Sequence, residues 1–487
     1  MGMRRVRSRS AISGPPRINS VSRKVGQVMY QSQALASFVV ETDYEDLTPE
    51  VRGQLKIRIL DSLGCAIGAL EGPPIRALRE QLEDFDGSGR CSLIGGGSAP
   101  PDRAALYNSA LVRYLDFNDS YLAEGETCHP SDNLGSVLAA LEYRGASGKD
   151  LLTALGIAYQ VQCRLSDEAP VRAKGFDHTT QGSFAVAAGV SKALSLDPER
   201  TTNAIAISGT AFNALRVTRT GPLSNWKGLA YPNTGFCATH ATFLAMRGIT
   251  GPVDVFEGNK GFMESISGPF TLDWKKEGID RVNRTILKKF NAEIHSQSSL
   301  EGLLELREQE GFTGEDIESI HLDTFDVAFN IIGGGEEGSK VEVFTKEAAD
   351  HSLPYMLAVA ALDDQVMPEQ YAPERIMRED VQNLLRRVEV EPSPEYSARF
   401  PEEMPCTVKV RLKDGRELQI SKRDYAGFFT RPMSWEQAVD KFSIVSAPYA
   451  TEQMQRDVVL AVEQIEDLYI DEFMRLLRYV GARPEQD

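Results

Sequence analysis

Six histidines are the scarce acid–base groups of this 487-residue chain, and several stand in unusual company. The densest cluster reads Leu115-Asp116-Phe117-Asn118-Asp119-Ser120, then Cys128-His129-Pro130-Ser131-Asp132-Asn133-Leu134-Gly135. It sets carboxylates, hydroxyls and an imidazole at a helix end and in the loop that follows, where a rigid scaffold can present functional groups. A carboxylate near an imidazole sets its tautomer and its pKa, as a general acid or base requires. The plainer reading makes Asp119 and Ser131 helix caps and His129 a satisfied loop residue. Spacing alone leaves both open.

Four weaker groups follow. Phe176-Asp177-His178-Thr179-Thr180 carries a histidine, but it reads equally well as a helix start. Leu215–Arg219 and Ser224–Gly228 supply Arg216, Arg219 and Lys227 beside Gly and Pro turns. Three cations there suit carboxylate recognition, or form a solvated basic loop. Lys288 and His295 lie within Lys288–Gln297, close to a predicted domain boundary, and His351-Ser352-Leu353-Pro354-Tyr355 opens a helix. The glycine runs Gly95–Gly97 and Gly333–Gly335 lack the Lys-Ser/Thr and the strand–helix context of phosphate loops, so they read as flexible turns. No Gly-x-Ser-x-Gly elbow is present for acyl transfer.

Composition narrows the chemistry. The net charge of −17 argues against a nucleic-acid surface, which needs a basic face. It also means that a polyanionic substrate must be drawn in by local positive charge. The six cysteines are dispersed with no Cys-x-x-Cys, so no iron–sulfur or zinc ligand set is expected. No apolar run reaches the ~18 residues of a membrane span.

The elements that position these residues belong to a chain of 487 residues, a length that predicts two or three domains. Residues 1–32 read as a targeting or disordered extension: the start is rich in Arg and Ser, with no acid before Glu41. Thr48-Pro49-Glu50 is a helix start, followed by Val51, Leu55, Ile59 and Leu63 on one face. Ile75, Leu78, Leu82 and Phe85 mark a second helix, and Cys91 to Ile94 a short strand. From Pro101 to Arg247, segments rich in Ala, Gly and Ser predict closely packed helices. The texture then changes. Ile317–Thr324 alternates like a strand, and Thr407–Leu412 and Glu417–Ile420 flank an Asp414-Gly415 hairpin turn. Helices are predicted over His351–Leu362, Arg378–Val388, Ser434–Phe442 and Thr451–Tyr479. The expected fold is mainly α: a discontinuous helical domain (33–269 and 426–487) with an inserted α/β lid domain (270–425). The cleft between them is a natural place for a small-molecule site.

Five ordered segments carry a resemblance. Leu115–Ala123, His129–Gly135, Leu223–Gly228, Ala292–Gln297 and Asp350–Tyr355 resemble the MmgE/PrpD family, whose dehydratase branch their wording matches, and the likeness runs from about residue 33 to 480. It implies a dimer, with no metal and no cofactor, in a family of dehydratases of 2-methylcitrate, decarboxylases of cis-aconitate and some epimerases. Its decarboxylase branch places an Asp, a Thr, a His and two Lys in the site. These fall on Asp116, Ser120, His129 and Lys288, while the second Lys falls near Gly221, six residues before Lys227. That departure leans toward dehydration. The expectation is therefore a cofactor-independent hydro-lyase acting on a small tricarboxylate, 2-methylcitrate, with citrate as a further candidate substrate. The alternatives are decarboxylation of cis-aconitate, epimerisation of a dicarboxylate, and a non-catalytic binding protein. Asp116 and His129 would be the acid/base pair with Lys288 beside them. Ser120, Arg216, Arg219 and Lys227 would hold substrate, with His178, His295 and His351 in support. No nucleic-acid or membrane partner is expected. The location is the cytoplasm, or the mitochondrial matrix if the extension is a transit peptide.

Overall fold

A computed structural model describes residues 29–481 except 86 and 222. The arginine-rich start before residue 29 lies outside the described residues. The fold is mainly α with a small α/β part. One hydrophobic core gathers Leu35 through Leu287 and takes up Met433 through Val480 from the far end of the chain. A second core runs from Phe290 to Leu412. The chain leaves the first core near Leu287 rather than at 270, because Leu272, Trp274, Ile279 and Val282 still pack on the helices.

The helical part follows from small residues. Thr48 caps the helix Pro49–Gly68 by accepting from the Val51 amide at 3.2 Å, with Pro49 at its first position. The helices Pro101–Tyr114, Leu134–Arg144, Gly148–Glu168, Thr179–Ala193 and Trp226–Met246 then stack against one another. Close approach depends on glycine: a Cβ on Gly135 would stand 2.4 Å from the Ser109 amide nitrogen, and one on Gly148 would stand 1.7 Å from the Ile465 carbonyl oxygen. The second contact pins the returning C-terminal segment to the first core. That segment is not one helix over 451–479. It breaks after Glu452–Glu463 and resumes as Ile470–Leu477.

The α/β part is a four-stranded sheet in the order Val388–Pro392, Ile317–Thr324, Cys406–Leu412, Glu417–Lys422. The first pair is parallel and the others antiparallel. The Asp414-Gly415 hairpin forms as predicted, with Gly415 at φ +91°. The helices Gln297–Glu310 and Leu353–Asp363 cover one sheet face. The edge strand Val388–Pro392 replaces the end of a predicted helix, which stops at Leu385. Likewise Cys91–Ile94 shortens to Cys91–Ser92, paired with Ser98–Ala99 across the Gly95–Gly97 turn. Among the described residues no helix is long and apolar enough to cross a membrane.

Candidate active site

The helix Pro101–Tyr114 ends just before the Asp116 cluster, and the chain reverses at Asp116, which takes φ +55°. An aspartate tolerates this left-handed backbone better than most residues, and such strain gathers at functional sites. A short hairpin follows, Tyr121–Ala123 against Glu126–Cys128, turning at Gly125. It carries His129 back beside the residues just before it. His129 Nδ1 lies 2.7 Å from the Asp119 carbonyl oxygen and 3.1 Å from Ser120 Oγ. A carbonyl only accepts, so Nδ1 bears the proton and Nε2 keeps its lone pair. The loop is braced from below. Asp119 accepts from the Ser131 amide at 3.1 Å and from the Tyr159 hydroxyl at 2.8 Å. Asn118 Nδ2 donates to Ser131 Oγ and to Asp132 Oδ1.

Asp116 is a hub of positive charge. Its Oδ1 receives Arg113 at 2.6 Å and Lys288 at 2.8 Å, and its Oδ2 receives Lys227 at 3.0 Å. Burial alone would raise its carboxyl, but Arg113, Lys288 and Lys227 outweigh that and hold it well below the usual range. A carboxylate so held has no proton to give and little tendency to take one at neutral pH. Asp116, expected as one half of an acid/base pair with His129, stands here as a carboxylate ringed by three cations. Lys227 also reaches Asp350 Oδ1 at 3.0 Å and His351 Nδ1 at 2.9 Å. The Asp116, Asp350 and His351 donor atoms lie within 4.8 Å of one another, a spacing that could hold a metal ion, and the Lys227 ammonium bonds to all three.

His129, His178, His295 and His351 line one cavity with Asp116 and Lys288. Burial, then Arg113 and Lys288, depress His129 well below the usual imidazole value, so it is neutral. Burial likewise lowers His178 to about 3, against the pull of Asp177. Both His178 ring nitrogens are buried without a partner among the described residues. His295 Nδ1 pairs with Glu293 Oε1 at 2.8 Å, and its Nε2 is buried with no hydrogen-bond partner among the described residues. Glu293 falls to about 2, because the imidazole beside it outweighs the cost of burial. Burial also depresses the Lys288 ammonium, with Asp116 opposing.

Arg216 and Arg219 both reach the cavity wall, Arg219 tied to Asp177 Oδ2 at 2.6 Å. Five cationic side chains and three carboxylates line the cavity, so a chain of net charge −17 has a local excess of positive charge here. Ser120 does not line it: its hydroxyl lies against His129 Nδ1, and its backbone pairs with Ile286. Lys227 reaches the site through Asp116. His240 and His321 lie elsewhere, on Asp102 and on the sheet's open face.

Sequence reasoning did not assign Arg113, Glu293, Asp350 or Arg172. Arg113 precedes Asp116 by three residues at a helix end, a spacing that brings charges together. Glu293 stands two residues before His295, a spacing that was there to notice. Asp350 opens the Asp350–Tyr355 segment and precedes His351, whereas Arg172 gave no local signal.

Comparison with known proteins identifies the family. The family model described as the MmgE/PrpD N-terminal domain matches residues 33–275, and that of the C-terminal domain matches 290–467. The chain is similar to 2-methylcitrate dehydratase of Escherichia coli K12, at 27% identity over 86% of this chain and 91% of the relative. It is similar to cis-aconitate decarboxylase of Mus musculus, at 26% identity over 90% of this chain and 91% of the relative. A mitochondrial 2-methylcitrate dehydratase of Yarrowia lipolytica is 28% identical over 67% of this chain and 66% of its own length.

Proposed function

Because the chain belongs to the MmgE/PrpD family, we propose that it is a hydro-lyase that dehydrates a β-hydroxy tricarboxylate of the 2-methylcitrate type. The observation that carries this reading is a pair of imidazoles in one cavity, each with Nδ1 committed and Nε2 free: His129 on the Asp119 carbonyl, His295 on Glu293. Dehydration needs both a base and an acid. The neutral His129 Nε2 takes the proton from carbon. The electron pair moves into the new C=C bond, and the hydroxyl leaves as water with the Nε2 proton of a His295 imidazolium whose charge Glu293 balances, so His129 ends the step protonated and His295 neutral. Charge building on the neighbouring carboxylate is met by Lys288 and Arg113, which Asp116 holds in place. Arg216, Arg219 and His178 hold the remaining carboxylates.

A second reading has one observation behind it. Lys227 and Lys288 both sit on Asp116, so two lysines are present despite Gly221. The lysine count therefore no longer weighs against decarboxylation of cis-aconitate. A turnover panel decides: 2-methylcitrate and citrate followed by the absorbance of the conjugated product, and cis-aconitate followed by CO₂ release. The dehydratase reading expects 2-methylcitrate to be turned over best, and it fails if only cis-aconitate reacts.

The pH profile of kcat/KM follows from the same groups. Activity needs His129 neutral, so the acid limb lies below the ordinary histidine value of ~6.5. It also needs His295 still carrying its proton and Lys288 charged, so the alkaline limb lies below the ordinary lysine value of ~10.4. A profile centred on an acid limb at or above the ordinary histidine value would remove His129 as the base.

A further inference from the structure

The cavity that holds the histidines encloses only about 50 Å³. Ligand pockets usually measure at least ~300 Å³, so a tricarboxylate does not fit the site as it stands. A second cavity of about 740 Å³ adjoins it, and the two share Arg172 and Arg216 on their walls. Between these arginines sits Glu337, from the α/β part. Its Oε1 lies 3.2 Å from Arg216 Nη2 and 3.7 Å from Arg172 Nη2. The Glu337 side chain is only 10% exposed, so the bridge is largely shielded from solvent.

Glu337 ends a turn suited to movement. It follows the Gly333–Gly335 run and precedes Gly338, and Gly334 and Gly338 take φ +108° and +86°. The turn is fastened at its base, where Ile331 and Ile332 are buried in the second core and the Glu337 amide donates to the Asn330 carbonyl at 3.0 Å. A carboxylate on a short glycine-flanked turn therefore occupies two arginines at the junction of an outer and an inner chamber.

We propose that Arg172 and Arg216 form an entry site for a carboxylate of the substrate, and that Glu337 is an internal carboxylate latch which the substrate displaces to pass inward. This rests on the reading of the substrate as a tricarboxylate. An anion arriving in the outer chamber meets two cations already paired, and exchange of one carboxylate for another frees the glycine turn. Anions without a second carboxylate gain nothing further inside, where Lys288, Arg113 and Arg219 wait. Polycarboxylates are thus selected in two stages.

The latch lowers apparent affinity, because only the unlatched fraction binds. Removing its charge should remove that handicap. The test measures binding of propane-1,2,3-tricarboxylate, which lacks the hydroxyl and cannot be dehydrated, by calorimetry on the full chain. Glu337→Gln is expected to bind it roughly fivefold more tightly, the scale of one partly exposed ion pair, and to lower KM for 2-methylcitrate with the change in KM rather than kcat. Arg172→Gln is expected to bind it more weakly by a similar factor. Unchanged affinity in Glu337→Gln overturns the latch, and if that variant fails to fold, unchanged affinity in Arg172→Gln does so. If Glu337→Gln binds more tightly but the wild type dehydrates no tricarboxylate, the latch stands and the dehydratase reading falls. If the wild type dehydrates 2-methylcitrate but Glu337→Gln binds no more tightly, the reverse holds.

Discussion

His129→Ala is expected to lower kcat by about three orders of magnitude, within the span that a positioned general base contributes. The reason is one hydrogen bond. Nδ1–H is spent on the Asp119 carbonyl, so the lone pair on Nε2 is the basic atom available to substrate. Burial and the cations around it keep the ring neutral, so no proton has to be shed before the reaction. Folding should be little affected. The variant loses one hydrogen bond and leaves the Asp119 carbonyl unpaired, a cost of about 1–3 kcal/mol. Turnover and thermal unfolding measured together separate the two effects. A folded variant that keeps near wild-type turnover removes His129 from the chemistry.

Asp116→Asn should strike stability and activity together. The wild-type carboxylate stands among Arg113, Lys227 and Lys288, all nearly buried. Neutralising it leaves three cations facing one another without their shared partner. Breaking a buried ion pair on one side typically costs 3–5 kcal/mol, so a loss of about that size is expected at pH 7. The sign of the pH dependence is fixed. The folded-state pKa of Asp116 lies below its unfolded value, so its stabilisation is fully present above the unfolded value and is lost as pH falls through the depressed folded one. The gap between wild type and variant should therefore be full at pH 7 and shrink at acid pH. A tricarboxylate should restore part of the lost stability by placing a carboxylate among the same cations. A variant as stable as wild type at pH 7 would show that the three cations do not depend on Asp116.

Local signals in the sequence carried as far as local physics does. Thr48-Pro49 marked a helix start because capping is decided within four residues, and Asp414-Gly415 marked a hairpin because its turn needs a left-handed glycine. The strand Val388–Pro392 escaped because its partner, Ile317–Thr324, is about seventy residues away and their pairing is parallel. The chain before it also reads as helix. The first core runs on to Leu287 because Trp274 and Ile279 join it only through tertiary packing.

The site was legible to a similar depth. The residue types at Asp116, His129, Lys288, His295 and His351 announced chemistry, and those residues share one cavity. What they do to one another was not legible. Lys227 meets Asp116 and Asp350 across separations of 111 and 123 residues, and no spacing rule reaches that far. That contact, with Arg113 and Lys288, surrounds the Asp116 carboxylate with three cations. The tautomer of His129 likewise depends on the hairpin that folds it back onto Asp119.

The most direct test of the account follows 2-methylcitrate itself by proton NMR, with wild type and His129→Ala run side by side, with and without chelator. Wild type is expected to form the conjugated alkene with loss of water, to retain all three carboxylates and to be unaffected by chelator, while the folded His129→Ala protein forms almost none. Carbon dioxide released from cis-aconitate with no dehydration of 2-methylcitrate, or equal alkene formation by both proteins, would contradict it.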